Sequence, residues 1–299
     1  MIQDFIRNLI PILRGEFLIN ALLRSYTTFQ IGGPADIIIF PRDIEDLEKV
    51  MNLVYRTKLP FLILGNGSNF LVKDSGYKGI IICLKRYFNS ININGHNIDA
   101  DGGVLLSVLS RKAQEAGLSG LEFAVSIPAT LGGAIHNNAS AFGQSIGDVV
   151  EQLEFVENKG NLKKINRKEL IFTYRKCTLP YSGVIVKAKL NLKREAPSSI
   201  LKKMEKNVEN RNKLQPVGFP SAGSIFKNPE GDFAGRIIEE VGLKGMVFGK
   251  AKVSEKHANF IVNTGGATAD DVLHLIELIE NKVYEKTGIK LEKEIEVIG

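Results

Sequence analysis

Apolar residues recur along this chain in two rhythms. A period of 3.6 runs through Ile44, Leu47, Val50, Met51 and Val54, with Asp43 placed to cap the start, so the spacing predicts a helix there. Residues 104–116 predict a second helix, stopped by Gly117. Residues 269–287 predict a third, with Val272, Leu273, Ile276, Ile279 and Val283 on one side and Gly288 as its stop. Short apolar runs at 37–40, 61–64, 80–84, 153–156 and 184–192 predict strands. Helices and strands mix without a regular strand–helix–strand alternation, so the predicted class is α+β.

The pattern breaks between residues 195 and 220. Glu195-Ala196-Pro197-Ser198-Ser199 interrupts the last long strand. A charged helix of alternating sign is predicted over 200–214, a solvated face. Two prolines and a glycine then make a loop of residues 215–221. A first unit is expected before this stretch and a second after it, with residues 1–24 as an N-terminal helical segment. No internal repeat is visible.

Composition narrows the class. The 299 residues are 44% hydrophobic and 24% charged, which excludes a disordered or low-complexity chain. No apolar run approaches the roughly 18 residues of a membrane span. Asp4, Pro11, Arg14 and Glu16 argue against a secretory leader, so a cytoplasmic location is expected. Cys83 and Cys177 form neither a disulfide framework nor a metal site, and no metal is expected. The net charge of +6 is spread among acids along the chain. It lacks the basic stripe with interleaved aromatics that would mark a nucleic-acid partner.

Two glycine-rich segments stand out. Gly65-Asn66-Gly67-Ser68-Asn69 follows the strand of residues 61–64. Its glycines would let backbone N–H groups close on a phosphate. A dinucleotide fingerprint would need a third glycine where Phe70 stands, a helix next, and an acid where Lys85 and Arg86 lie. The segment is therefore a strand–turn–strand loop, either a plain turn or a ligand cradle. The second stretch, residues 124–139, is small, apolar and poor in charge, with Gly132 and Gly133 at its centre. It suits packing against a flat ligand or simple burial between sheets. His136 within it reads as a structural residue.

Three polar islands lie in apolar surroundings. In Thr173-Tyr174-Arg175-Lys176, Arg175 offers a planar fork for carboxylate or phosphate, or is an ordinary surface arginine. In Ser221-Ala222-Gly223-Ser224-Ile225-Phe226-Lys227-Asn228-Pro229, Ser224 could donate a proton to a ligand, or cap the helix predicted over 233–241. Phe226 stands where a nucleophile elbow needs glycine, which argues against a hydrolase. Read as a strand, residues 291–299 place Glu292, Glu294 and Glu296 on one face, where a cation would be welcome.

Taken in order, these motifs resemble the UDP-N-acetylenolpyruvoylglucosamine reductases. The matching pieces are residues 26–36 (Tyr26 to Asp36), 64–69, 127–143, Tyr174-Arg175 and 221–229. Residues 234–238, 242–245, 253–260 and 291–295 complete the set. The resemblance implies a flavin domain of the vanillyl-alcohol-oxidase type in two subdomains over residues 25–195. A substrate domain would follow over 196–299. The short spacing between Arg175 and Ser224 resembles the family's shorter subclass.

By the same resemblance, the chain would take non-covalent FAD, with NADPH as reductant. It would reduce UDP-N-acetylglucosamine enolpyruvate in peptidoglycan precursor synthesis. Another flavin oxidoreductase of the same fold is the alternative. Arg175, Ser224 and Glu294 would be catalytic. Gly65, Asn66, Gly67, Ser68, Asn69, Pro128, Gly132, Gly133, Ile135 and Asn138 would hold the cofactor. Tyr174, Lys227, Asn228 and His257 would hold the substrate. A monomer is expected. The chain departs from the family at Ala129, Ser140 and Phe142, where the family usually has glycine, glycine and tyrosine. The lost glycines predict a slightly altered loop shape.

Overall fold

The computed structural model describes residues 2–299, which divide into two compact units. Unit 1 comprises Met1–Ile19, Asp36–Asn66 and Gly79–Glu209; unit 2 comprises Asn20–Ala35, Gly67–Lys78 and Asn210–Gly299. The passage into the last segment falls inside the predicted break at 195–220. The two early segments of unit 2 were not foreseen, because a single cut cannot describe a chain that passes between the units five times.

Unit 1 is built on two sheets. One orders its strands Glu16–Leu22, Pro34–Phe40, Tyr77–Cys83, Phe61–Leu64. Its central runs Ile37-Ile38-Ile39-Phe40 and Ile80-Ile81-Ile82 are buried throughout, as unbroken apolar strands should be. The helices α1 (Ile2–Leu9) and α2 (Ile44–Thr57) bring Phe5, Leu9, Leu47, Val50 and Met51 into the same core. Asp43 caps α2 by accepting from the Asp46 N–H at 3.0 Å. The expected N-terminal helical segment is only partly helical: after α1 the chain pairs as the strand Glu16–Leu22, its residues split between the units.

The second sheet is antiparallel, in the order Leu162–Asn166, Val150–Glu157, Gly183–Asn191, Asn97–Asp101, Ile91–Asn94. Alternation along its strands feeds two cores. Val156, Val184 and Val186 join the core beneath the first sheet. Leu153, Phe155, Ile185 and Leu190 face the core formed with α3 (Leu106–Glu115) and α4 (Leu131–His136). The charged helix is α5 (Pro197–Leu214), three residues longer than expected. Proline is tolerated in a first helical turn because its missing N–H would have no partner there.

Unit 2 packs α6 (Ala234–Glu240) and α7 (Ala269–Thr287) with a three-stranded sheet, Val247–Phe248, Ala251–Val253 and Ile261–Asn263. Thr268 and Asp271 form a capping box at the start of α7, and Gly288 ends it in the left-handed conformation at φ 70°. Phe70–Val72 pairs in parallel with Glu296–Ile298. The C-terminal strand is therefore shorter than predicted. Residues 291–295 instead meet the serine segment through an isolated bridge, Phe226 to Lys293. The α+β class is observed.

Candidate active site

In unit 1 the first glycine loop leaves the carboxyl end of Phe61–Leu64 and lies against residues 128–130. A Cβ added to Gly65 would stand 2.5 Å from Thr130 Oγ1, so the approach depends on glycine. Asn66 Nδ2 donates to the Pro128 carbonyl at 2.8 Å, and Lys85 Nζ donates to Asn66 Oδ1 at 2.6 Å. Thr130 Oγ1 accepts from Gly133 N at 3.4 Å, and Gly132 N donates to Gly102 O at 2.8 Å. Ile135 is fully buried in the core beneath α4. Of the two readings of this stretch, burial accounts for Leu131, Ala134 and Ile135, while Pro128 stays exposed.

Arg175 sits at the second position of the two-residue turn joining Ile171–Thr173 to Lys176–Thr178. Its φ is 55°, a left-handed conformation uncommon for a long side chain. Two contacts fix the turn. Asn138 Nδ2 donates to Thr173 O at 2.9 Å while its Oδ1 accepts from Gly147 N at 3.1 Å. Arg175 Nη1 donates to Ser140 Oγ at 3.1 Å. Asn138 thus spends its amide on the protein and braces the arginine turn. Tyr174 is exposed, its ring centroid 5.6 Å from the Arg175 guanidinium carbon.

The departures at Ala129 and Ser140 carry no penalty of backbone shape, since neither has positive φ. The left-handed residues of this stretch are Asn138 at φ 41°, Phe142 at φ 53° and Gly143 at φ 79°. Phe142 and Gly143 form the two-residue turn between Ser140–Ala141 and Gln144–Ser145. The expected altered loop shape at 129 and 140 therefore lacks its proposed cause.

In unit 2 Gly67 has φ 62°, and an added Cβ would lie 2.2 Å from Tyr26 O. The Tyr26 motif does its work here: Thr28 N donates to Gly67 O at 3.2 Å, and Thr28 Oγ1 to Ser221 O at 2.7 Å. Ser68 is half-buried beside it. Asn69 Nδ2 donates to Glu294 O at 3.1 Å.

The serine segment is threaded between two others. Ser224 bridges Phe260, Ile225 N donates to Asn259 O at 2.8 Å, and Glu294 N donates to Ile225 O at 2.8 Å. Ser224, Glu294 and Asn69 are thereby drawn onto neighbouring backbone. Ser224 caps no helix. Instead Asn228 Oδ1 accepts from Ala234 N, the first residue of α6, at 3.1 Å. Lys227 Nζ pairs with Glu292, supplying the cation that the acidic C-terminal segment called for.

His257 is half-buried and lies edge-on to Phe260, with centroids 5.0 Å apart. Its Nδ1 accepts from Asn259 N at 3.3 Å. Burial, with help from the nearby Lys244 charge, pushes its pKa below the usual imidazole value, which favours the neutral ring at pH 7.

Two residues were missed. Asn259, 3% exposed, accepts from Phe226 N at 2.9 Å and donates to Phe226 O at 2.8 Å, locking the serine segment. Its signal was a lone amide between Ala258 and Phe260. Ser140 was read only as a lost glycine; its hydroxyl was the signal for the arginine contact.

Two family models match stretches of the chain. Residues 35–166 match the family model of an FAD binding domain. Residues 215–298 match that of the UDP-N-acetylenolpyruvoylglucosamine reductase C-terminal domain. The chain is 42% identical over 299 residues to the UDP-N-acetylenolpyruvoylglucosamine reductase of Clostridioides difficile (strain 630), covering 99% of this chain and 98% of that protein. It is 43% identical over 287 residues to that of Moorella thermoacetica, covering 96% and 95%. The crystal structure of UDP-N-acetylenolpyruvylglucosamine reductase from Thermus caldophilus superposes with a TM-score of 0.83 at 38% identity, over 96% of this chain and all of that one. A berberine bridge enzyme variant superposes at 0.51 with 15% identity over 66% of this chain and 44% of that one, a likeness of fold alone. With more than 40% identity sustained over nearly its full length, the chain belongs to the UDP-N-acetylenolpyruvoylglucosamine reductase family.

Proposed function

We propose that this protein reduces UDP-N-acetylglucosamine enolpyruvate to UDP-N-acetylmuramate, using FAD and NADPH, in peptidoglycan precursor synthesis. The observation that carries this reading is 42% identity, over nearly the full length of both chains, to a reductase of that name. The flavin role is assigned to residues 25–195 and the substrate role to 196–299, functional limits that differ from the compact units. The protein acts as a cytoplasmic monomer without nucleic-acid or membrane partners. Among the described residues no helix is long and apolar enough to cross a membrane, and no group of acids, histidines and cysteines could hold a metal.

The first glycine loop suits a diphosphate: Gly65 packs against Thr130 with no room for a Cβ, and the Asn66 bridge to Pro128 holds the loop in place. Gly65, Asn66, Gly67, Ser68 and Asn69 would hold the diphosphate, and Pro128, Gly132 and Gly133 the rest of the cofactor, while Ile135 and Asn138, whose side chains are taken up by the core and the arginine turn, would contribute through backbone alone. FAD, when bound, supplies the hydride chemistry, with electrons drawn from NADPH.

The product differs from the substrate by two hydrogens across the vinyl group. One arrives as hydride at the terminal carbon and one as a proton at its neighbour. Negative charge develops on the enolate of the substrate carboxylate between these events. Arg175 neutralises it through a two-pronged contact, and Glu294 joins it there. Ser224 delivers the proton. Its hydroxyl makes no hydrogen bond to another described residue, so its donor is not committed within the protein. Tyr174, Lys227, Asn228 and His257 hold the substrate, with His257 toward the uridine diphosphate as a neutral N–H donor.

The test is to reduce the purified yellow protein with NADPH without oxygen, then add the enolpyruvyl substrate. Return of the flavin absorbance with formation of UDP-N-acetylmuramate is expected. A colourless protein that takes up no FAD, or a reduced protein reoxidised by oxygen but not by this substrate, would overturn the reading.

A further inference from the structure

Lys85 stands where a parallel strand pair must put it. Phe61–Leu64 runs parallel to the end of Tyr77–Cys83, with Leu64 opposite Cys83. Two residues past each end brings Asn66 alongside Lys85. Both then lie at the carboxyl ends of one parallel strand pair. The contact is short: Lys85 Nζ donates to Asn66 Oδ1 at 2.6 Å. An amide with its oxygen on an ammonium must turn its nitrogen the other way, and Asn66 Nδ2 reaches Pro128 O at 2.8 Å. Lys85 therefore decides the orientation by which the first loop joins the second.

Among the described residues its charge has no counterpart. The adjacent Arg86 pairs with Glu16 and lies 4.3 Å over the Phe40 ring. Among the described residues Lys85 makes no ion pair; its partner is a neutral amide, which leaves a full positive charge and two N–H donors beside the loop. A surface lysine normally points to water or an acid, whereas this one is drawn onto a glycine loop.

We propose that Lys85 is a cofactor-positioning residue that holds Asn66 against Pro128 and offers its charge to the flavin dinucleotide's diphosphate. The proposal rests on the assignment of residues 65–69 to that diphosphate. Two negative charges would then meet one aimed cation, and binding strength would carry its electrostatic share in a salt-dependent form.

The test uses protein stripped of flavin and titrated with FAD, followed by flavin fluorescence at several sodium chloride concentrations. Lys85→Arg keeps the charge and should bind within about threefold of the parent. Lys85→Gln keeps a donor but no charge; it should bind roughly tenfold or more weakly at low salt, with a flatter salt dependence. Lys85→Met loses both and should be weaker still. Thermal melting of the stripped variants should be unchanged. Lys85→Gln within twofold of the parent, or Arg and Gln variants equally weakened, would overturn the proposal. Failure of the parent itself to bind FAD would instead strike the underlying assignment.

Discussion

The loop at Gly65 and Asn66 in unit 1 and the segment at residues 224–227 in unit 2 both present polar groups beside short strand ends, and they are held differently. The first depends on what is missing: a Cβ at Gly65 would collide with Thr130 Oγ1 at 2.5 Å. The second depends on what is present: one buried amide, Asn259, satisfies both backbone groups of Phe226. A site made by omission is visible in a sequence as glycine. A site made by a buried bracing amide looks like any other asparagine. The arginine turn combines both modes, with a backbone forced to φ 55° and braced by Asn138 and Ser140.

The largest effect of substitution is expected at that turn. Arg175→Lys keeps the charge but loses the two-pronged geometry. Losing one aligned charge-stabilising donor costs about 2.7–4 kcal/mol of barrier, a hundred- to thousandfold in rate. Steady-state turnover checks this, and near-normal turnover would make Arg175 a surface residue.

Asn259→Leu probes the bracing amide. It strands a buried N–H and a buried carbonyl on Phe226, each worth about 1–3 kcal/mol when unmade. Stability should fall by about 2–5 kcal/mol in urea unfolding. A loss below about 0.5 kcal/mol would mean that the segment holds itself.

Gly65→Ala probes the omission. Pushing Thr130 aside should cost about 1–3 kcal/mol and weaken FAD binding. Removing the obstructing hydroxyl with Thr130→Ala in the same chain should restore much of the loss. Additive losses in this double-mutant cycle would show that the two residues do not clash.

Ser140→Ala should be the mildest. It removes one hydrogen bond to Arg175, about 0.5–1.5 kcal/mol, and should slow turnover roughly two- to tenfold while FAD affinity stays unchanged. A fall in FAD affinity would place Ser140 at the cofactor instead.

What the sequence disclosed was what local chemistry decides. Asp43 at the start of α2, Thr268 and Gly288 bounding α7, and the unbroken isoleucine runs were all legible, because caps, stops and burial act over a few residues. Pro197 misled because the same residue breaks a strand and opens a helix. The assignment of Asn20–Ala35 and Gly67–Lys78 to unit 2 was illegible, since it rests on partners such as Ser221 and Glu294, some 200 residues away. For the candidate site, the motif order pointed to Arg175, Ser224 and Glu294. Ser140 and Asn259 left only faint signals, a hydroxyl and a lone amide, because their partners Arg175 and Phe226 lie more than 30 residues away.

As proton donor to the substrate, Ser224 would serve one half of the reaction only. Rapid-mixing absorbance of the flavin in Ser224→Ala measures both halves separately. Bleaching by NADPH should proceed near the normal rate, and reoxidation by the enolpyruvyl substrate should slow by roughly 10²–10⁴-fold, the usual range for a lost general acid. Cysteine in place of serine, being more acidic, should recover part of that loss. Equal slowing of both halves, or an unaffected second half, would contradict the assignment of Ser224 as proton donor.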